Sequence, residues 1–221
     1  MAMVYEAGTT KFAISGSLLH TGAYQDRSSI MKNIPDQQLI GVLYVISCGC
    51  SSASLTEGFV VQAQARGWDV CVITTPQGKY FLNLPRLAQI TGHPIRSEYK
   101  HPDEPDLLPR ADAIVVFPAS FNTINKWALG ISDTLAVGIL SEYTGLKKPI
   151  VAVPCFKTGG GLDTNPAFKR SVRMLRRYGV TVLYESETYP PKNQVPADVI
   201  LEVLQDVIRE KEEHRGKPET P

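Results

Sequence analysis

Three polar side chains, Ser120, Asn122 and Thr123, stand close together in VVFPASFNTINKWALGISDTLAVG (Val115–Gly138), directly after an apolar run. The carboxamide of Asn122 both donates and accepts hydrogen bonds, which suits a ligand with a mixed polar edge. Ser120 or Asn122 also fits the plainer role of helix N-cap. A second cluster lies in SCGCSSAS (Ser47–Ser54), where Gly49, Cys50 and Ser51 precede a helical pattern. Small residues, hydroxyls and free amides at a helix start make a phosphate cradle. The stretch is neither GxGxxG nor a Gly-Lys-Ser/Thr triphosphate loop, and small residues for close packing explain it as well. In TTPQGKYF, Thr74 and Thr75 put hydroxyls at another strand end, and Phe81 either lies against a flat ring or packs in the core. The cysteines are Cys48, Cys50, Cys71 and Cys155. Their CxC spacing, with no histidine nearby, does not make a zinc site, so no metal is expected.

The elements that must position these residues alternate along the chain. Near-continuous apolar runs IGVLYVIS, WDVCVITT, ADAIVVFPA and PIVAVPC read as strands buried on both faces. PIRSEY and VTVLYE read as shorter strands, and Pro118 is expected to stop its strand. Helical spacing marks SLTEGFVVQAQARG, LPRLAQITG, NPAFKRSVRMLRRYG and PADVILEVLQDVIREKEEHRG, and one long helix over TINKWALGISDTLAVGILSEYTG. This order predicts an α/β fold, a doubly wound, Rossmann-like (flavodoxin-like) parallel sheet with helices on both faces. Ligands of such sheets sit beyond the carboxyl ends of the strands, where the polar clusters fall. Residues 1–38 lack periodicity and are expected to be a loose extension or an oligomer arm. Residues 39–211 form the domain, and 212–221 a disordered tail. The 221 residues carry a formal net charge of +1, which gives no reason to expect nucleic acid or an anionic membrane as partner. With no secretory or long apolar segment, a cytoplasmic protein with reduced thiols is expected.

PASFNTINKWALGISDTL resembles the signature of the homo-oligomeric flavin-containing cysteine decarboxylases: Pro-Ala-Ser-Ala-Asn-Thr, a Lys, then Gly-Ile-(Ala/Ser/Cys)-Asp. Pro118, Ala119, Ser120, Asn122, Thr123, Lys126, Gly130, Ile131 and Asp133 match it, while Phe121 replaces a small residue. CGCSSA resembles the family's Gly-Ser phosphate turn, with Cys50 in place of Ser, and VCVITTPQGKYF resembles its strand, Thr-Pro and Phe. The resemblance covers roughly Leu39 to Val182. It implies FMN as cofactor, with its phosphate on the first loop and its ring on the Ser, Asn and Thr of the signature, at the interface of a homo-oligomer (a trimer, or a dodecamer of trimers). It also implies a reaction in which oxidised flavin takes hydride from the cysteine β-carbon, after which carbon dioxide leaves to give an enethiol.

The chain departs from that pattern at two places. The family's active-site histidine lies eight residues before the Asp of an Ala-Asp pair, here Ala111-Asp112, and that position is Glu104. His101, three residues upstream, or Glu104 itself is the candidate replacement for it, with a plain surface loop and no replacement as the alternative. The second signature, Pro-x-Met-Asn-x-x-Met-Trp, keeps Pro154 but has Phe156 and Lys157 for Met and Asn. Lys157 can attract a carboxylate as a point charge without Asn's directional bonds. Cys155 reads as a packed strand-end thiol or a reactive one, and TGGG (Thr158–Gly161) as a lid or a plain loop. The substrate expected from these departures is a peptide ending in cysteine, or a small thiol. Alternatives are a phosphopantothenoylcysteine decarboxylase-like enzyme, a prenyl-flavin synthase-like enzyme, and a non-catalytic FMN-binding subunit.

Overall fold

The computed structural model describes residues 39–156, 159–184 and 195–215, all within one compact unit that begins at Gln38. The extension expected over 1–38 lies outside these residues, as do Lys157 and Thr158. Five strands form one parallel sheet: β1 (Gly41–Ser47), β2 (Trp68–Thr74), β3 (Ala113–Ala119), β4 (Ile150–Pro154) and β5 (Thr181–Val182). Their spatial order is β2-β1-β3-β4-β5. The order reverses between β1 and β3, the point at which a doubly wound sheet opens a crevice beyond its strand ends.

Both faces of the sheet are covered, which is why the strands read as unbroken apolar runs. Leu43, Val45, Val70, Val115 and Val153 point to one face, under α1 (Thr56–Ala65), α2 (Leu84–Thr91) and α6 (Ala197–Arg215). Tyr44, Ile46, Ile114, Val116 and Ala152 point to the other, under α3 (Phe121–Ala128), α4 (Leu135–Gly145) and α5 (Pro166–Arg177). The period-2 alternation of a strand thus feeds two separate cores. No helix among the described residues is long and apolar enough to cross a membrane.

Five sequence expectations are corrected. The long helix over 123–145 is two helices, because Gly130 adopts φ +72°. Ile131 N donates to Lys126 O at 2.9 Å and Gly130 N to Trp127 O at 3.0 Å, the paired bonds of a glycine-terminated helix end. Pro118 does not stop β3, which runs on to Ala119 through an irregularity in its pairing with β4. A proline lacks the ladder donor, so the register shifts there while the strand continues. PIRSEY contributes only an isolated bridge, Ile73 to Arg96, and VTVLYE only the two residues of β5. The last helix continues to Arg215, so residues 212–215 belong to it and not to a tail.

Candidate functional site

A cavity of about 590 Å³ opens at the reversal point, beyond the carboxyl ends of β1, β2 and β3. Gly49, Cys50, Ser51, Thr75, Ser120, Phe121, Asn122 and Thr123 all line it, so the structure brings eight of the expected binding residues to one place. Three others stand elsewhere. Thr74 is fully buried, donating its hydroxyl to Ser47 O at 2.9 Å. Phe81 is half exposed outside the lining. Asp133 binds Lys126 Nζ at 2.5 Å. That ion pair spans the break between α3 and α4, so Asp133 acts on the cavity through Lys126, which does line it.

The loop after β1 is held by hydroxyls of the loop after β2. Thr75 Oγ1 accepts from Gly49 N at 3.3 Å and from Gly78 N at 3.1 Å. Glycine is required at 78, where a Cβ would lie 2.2 Å from Thr74 Oγ1 and 2.8 Å from the Ser47 carbonyl oxygen. Cys50 is extended, and a 3-10 turn follows over Ser51–Leu55. The opening amides of such a turn have no partner within it, and here they sit beside the cavity wall.

Ser120 caps α3: its Oγ accepts from Thr123 N at 3.3 Å. Thr123 is 4% exposed, and its Oγ1 lies 3.0 Å from Ser120 Oγ and accepts from the Cys48 thiol at 3.2 Å. Those two hydroxyls therefore fix the turn. Asn122 is on the exposed side of the same turn, with its carboxamide available to a ligand. Asn125 Nδ2 donates to Phe121 O at 2.9 Å while its Oδ1 accepts from Ser171 Oγ at 2.7 Å, which ties α3 to α5.

The opposite wall is aromatic. Phe121 and Phe156 line the cavity edge-on at 6.2 Å, and behind them Phe168 meets both Phe156 and Tyr184 at 4.8 Å in T-shaped contacts. The next turn of this wall, Gly159–Thr164, closes on Asp163, whose Oδ2 accepts from Gly159 N at 2.9 Å. Backbone donors, Gly159 first, hold that carboxyl below its ordinary range.

Of the expected catalytic groups, Asn122 is in the lining, Lys157 lies outside the described residues, and His101 is 68% exposed on the loop before β3, 3.3 Å from Asp103 Oδ2. Glu104 turns back to accept from His101 N at 3.2 Å. The described lining contains no histidine and no carboxylate. Sequence reasoning missed Pro76, Gln77, Thr134, Val137 and Leu162 as lining residues. For Thr134 and Val137 the available signal was Gly130, since only a helix that ends there turns them into the cavity.

The donor set fits a flavin mononucleotide. Amides and hydroxyls at Gly49–Ser51 and Thr75 suit its phosphate, Asn122 its polar ring edge, and Phe121 or Phe156 its flat face.

The profile of the Flavoprotein family matches residues 37–210, and the chain belongs to that family. It is 29% identical over 120 residues to a mouse (Mus musculus) phosphopantothenoylcysteine decarboxylase, a stretch covering 51% of this chain and 57% of that one. It is 30% identical over 95 residues to a dihydromethanopterin reductase (acceptor) of Methanosarcina mazei, covering 43% and 36%. The matched stretches thus span about half or less of each relative. Among solved structures, the FMN-dependent cysteine decarboxylase TvaF from thioviridamide biosynthesis superposes with a TM-score of 0.63 at 19% identity, covering 77% of this chain and 99% of that one. The peptidyl-cysteine decarboxylase EpiD gives 0.60 at 23%, covering 74% and 98%. These likenesses establish the flavodoxin-like fold.

Proposed function

We propose that this chain binds FMN in the cavity and oxidatively decarboxylates a C-terminal cysteine, that of a peptide in particular. The observation that carries the reading is the Ser120–Asn122–Thr123 turn, stationed at the strand-order reversal beside the Gly49–Ser51 turn and backed by the Lys126–Asp133 pair. Bound FMN supplies hydride acceptance from the cysteine β-carbon. The chain's own part is to hold: Ser120 and Thr123 fix the turn, Asn122 binds the ring edge, and the aromatic wall excludes water. Lys126 is the one cation in the described lining, and it draws an anionic group toward the cavity. In this reading the working form is a homo-oligomer, with a neighbouring copy closing the open side of the cavity.

The test is flavin uptake by absorption, followed by mass spectrometry of a cysteine-ending peptide. Expected are a yellow protein and a loss of about 46 Da (carbon dioxide plus two hydrogens) from the peptide. Protein that takes up flavin but leaves every such peptide unchanged defeats the decarboxylase reading. That result would favour the second reading, a flavin-binding subunit without chemistry of its own. One observation speaks for it: the described lining carries neither a histidine nor a carboxylate to take the substrate's proton.

A further inference from the structure

Helix α5 carries five cations and no carboxylate: Lys169, Arg170, Arg173, Arg176 and Arg177 stand among its 12 residues. The whole chain has a formal net charge of only +1, so its remainder is net acidic. At 3.6 residues per turn the five cations fall on one strip, opposite the buried face of Phe168, Ser171, Val172 and Leu175. Arg176 turns its guanidinium to the fold, donating to Val182 O at 3.0 Å and Tyr184 O at 3.3 Å. Lys169, Arg170, Arg173 and Arg177 are exposed, and their side chains have no ion pair or hydrogen bond among the described residues. Helix stability does not account for these four. Lys169–Arg173 and Arg173–Arg177 are like-charged i,i+4 pairs, which repel. Lys169 and Arg170 stand toward the helix N-terminus, where the macrodipole disfavours cations; only Arg177, in the last turn, is favoured by it. The helix also starts at the cavity. Leu162, just before the Asn165 cap, is in the lining, and Phe168 packs on Phe156, which lines it too. The basic strip therefore begins beside the cavity wall and runs away from it along the outside of α5, over about 12 Å from Lys169 to Arg177.

We propose that the exposed cations of α5 form a docking track for an acidic run in a peptide substrate, upstream of the residue that enters the cavity. A track of about 12 Å matches about four extended residues, at about 3.3 Å each. Aspartate or glutamate side chains in that run meet the Lys169 ammonium and the three guanidinium groups. An arginine can hold a carboxylate through two parallel N–H···O bonds. Charge complementarity selects the class of partner. A short acidic run ends where the track ends. A nucleic acid or an anionic membrane carries negative charge well past it, toward a chain whose remaining charge is net negative. Exposed charge contacts steer encounter and fix register more than they tighten binding. The track thus chooses among peptides, while the cavity holds the reacting residue. That the peptide's end lies in the cavity rests on the function proposed above; the acidic docking does not.

The test is fluorescence anisotropy with the full-length protein and labelled peptides of one sequence. They differ in an upstream run of Glu or Gln and in a final cysteine or serine. The Glu peptides should bind about tenfold more tightly than the Gln peptides at low salt. The difference should vanish toward about 1 M salt, where the Debye length is about 3 Å. Lys169→Gln, Arg170→Gln, Arg173→Gln and Arg177→Gln combined should erase the preference. They should not lower the urea midpoint, because the four cations repel one another. Arg170→Lys, Arg173→Lys and Arg177→Lys combined should keep the preference. Equal affinity for Glu and Gln peptides, a preference that survives in the Gln variant, or tighter binding of a single-stranded DNA of equal charge would each overturn the proposal. The serine-ending pair separates docking from reaction. If it shows the preference while cysteine-ending peptides keep their mass, the docking stands and the decarboxylation falls.

Discussion

The cavity has two walls built on different principles. The wall from the loops of β1, β2 and β3 is made of small residues and hydroxyls, and hydrogen bonds through Thr75, Ser120 and Thr123 fix it. The other wall is made of rings, Phe121 at the start of α3, Phe156 after β4, Phe168 in α5 and Tyr184 after β5, and their mutual contacts fix it. The first matches the family signature almost residue for residue, and the second departs from it. Hydrogen bonds demand given atoms at given distances, whereas apolar packing accepts any side chains of suitable volume. A ligand-reading wall is therefore recognisable in sequence, and a packed wall can be rebuilt around a different substrate.

The strongest challenge to that division is Phe168→Ala. Phe168 is fully buried between Phe156 and Tyr184, so its loss should cost about 3–5 kcal/mol in urea unfolding. Flavin uptake per folded molecule should persist; if uptake vanished while stability held, the ring wall would itself be reading the cofactor. Gly78→Ala comes next. The added Cβ would meet Thr74 Oγ1 and the Ser47 carbonyl, at about 1–3 kcal/mol, and should impair both stability and flavin uptake by prising two loops of the polar wall apart. Asn122→Ala separates the functions most cleanly. With an exposed side chain, stability should shift by less than about 0.5 kcal/mol, while flavin affinity falls by about 1–3 kcal/mol, read by fluorescence titration.

The smallest effect is a pH dependence in the packed wall. The folded-state pKa of Asp163 is lowered by backbone donors, so its stabilising contribution is present above the unfolded carboxylate value. It is lost as pH falls from about 4 through the folded value. Asp163→Asn should flatten the acid limb of the urea midpoint plotted against pH and leave the neutral region level. An unchanged acid limb would show that the Gly159–Thr164 turn does not depend on the carboxylate's charge.

Local chemistry determined much of this protein from the sequence alone. Apolar runs of strand length gave the parallel sheet, because a strand buried on both faces has no polar alternation to show. The signature from Pro118 to Asp133 marked the turn and Lys126, because capping and ligand contacts are made by residues a few positions apart. Tertiary structure decided the rest. It withdrew Thr74 into the strand end and left Phe81 outside, since the side of a loop that faces the cavity depends on the neighbouring strand. It turned Thr134 and Val137 inward through a helix end at Gly130. It also set Ser52, in the turn after β1, 2.8 Å from the thiol of Cys155 after β4, because β1 and β4 end on the same side of a parallel sheet. Such meetings follow from strand order, and strand order is settled by packing two cores at once, which no short stretch of sequence records.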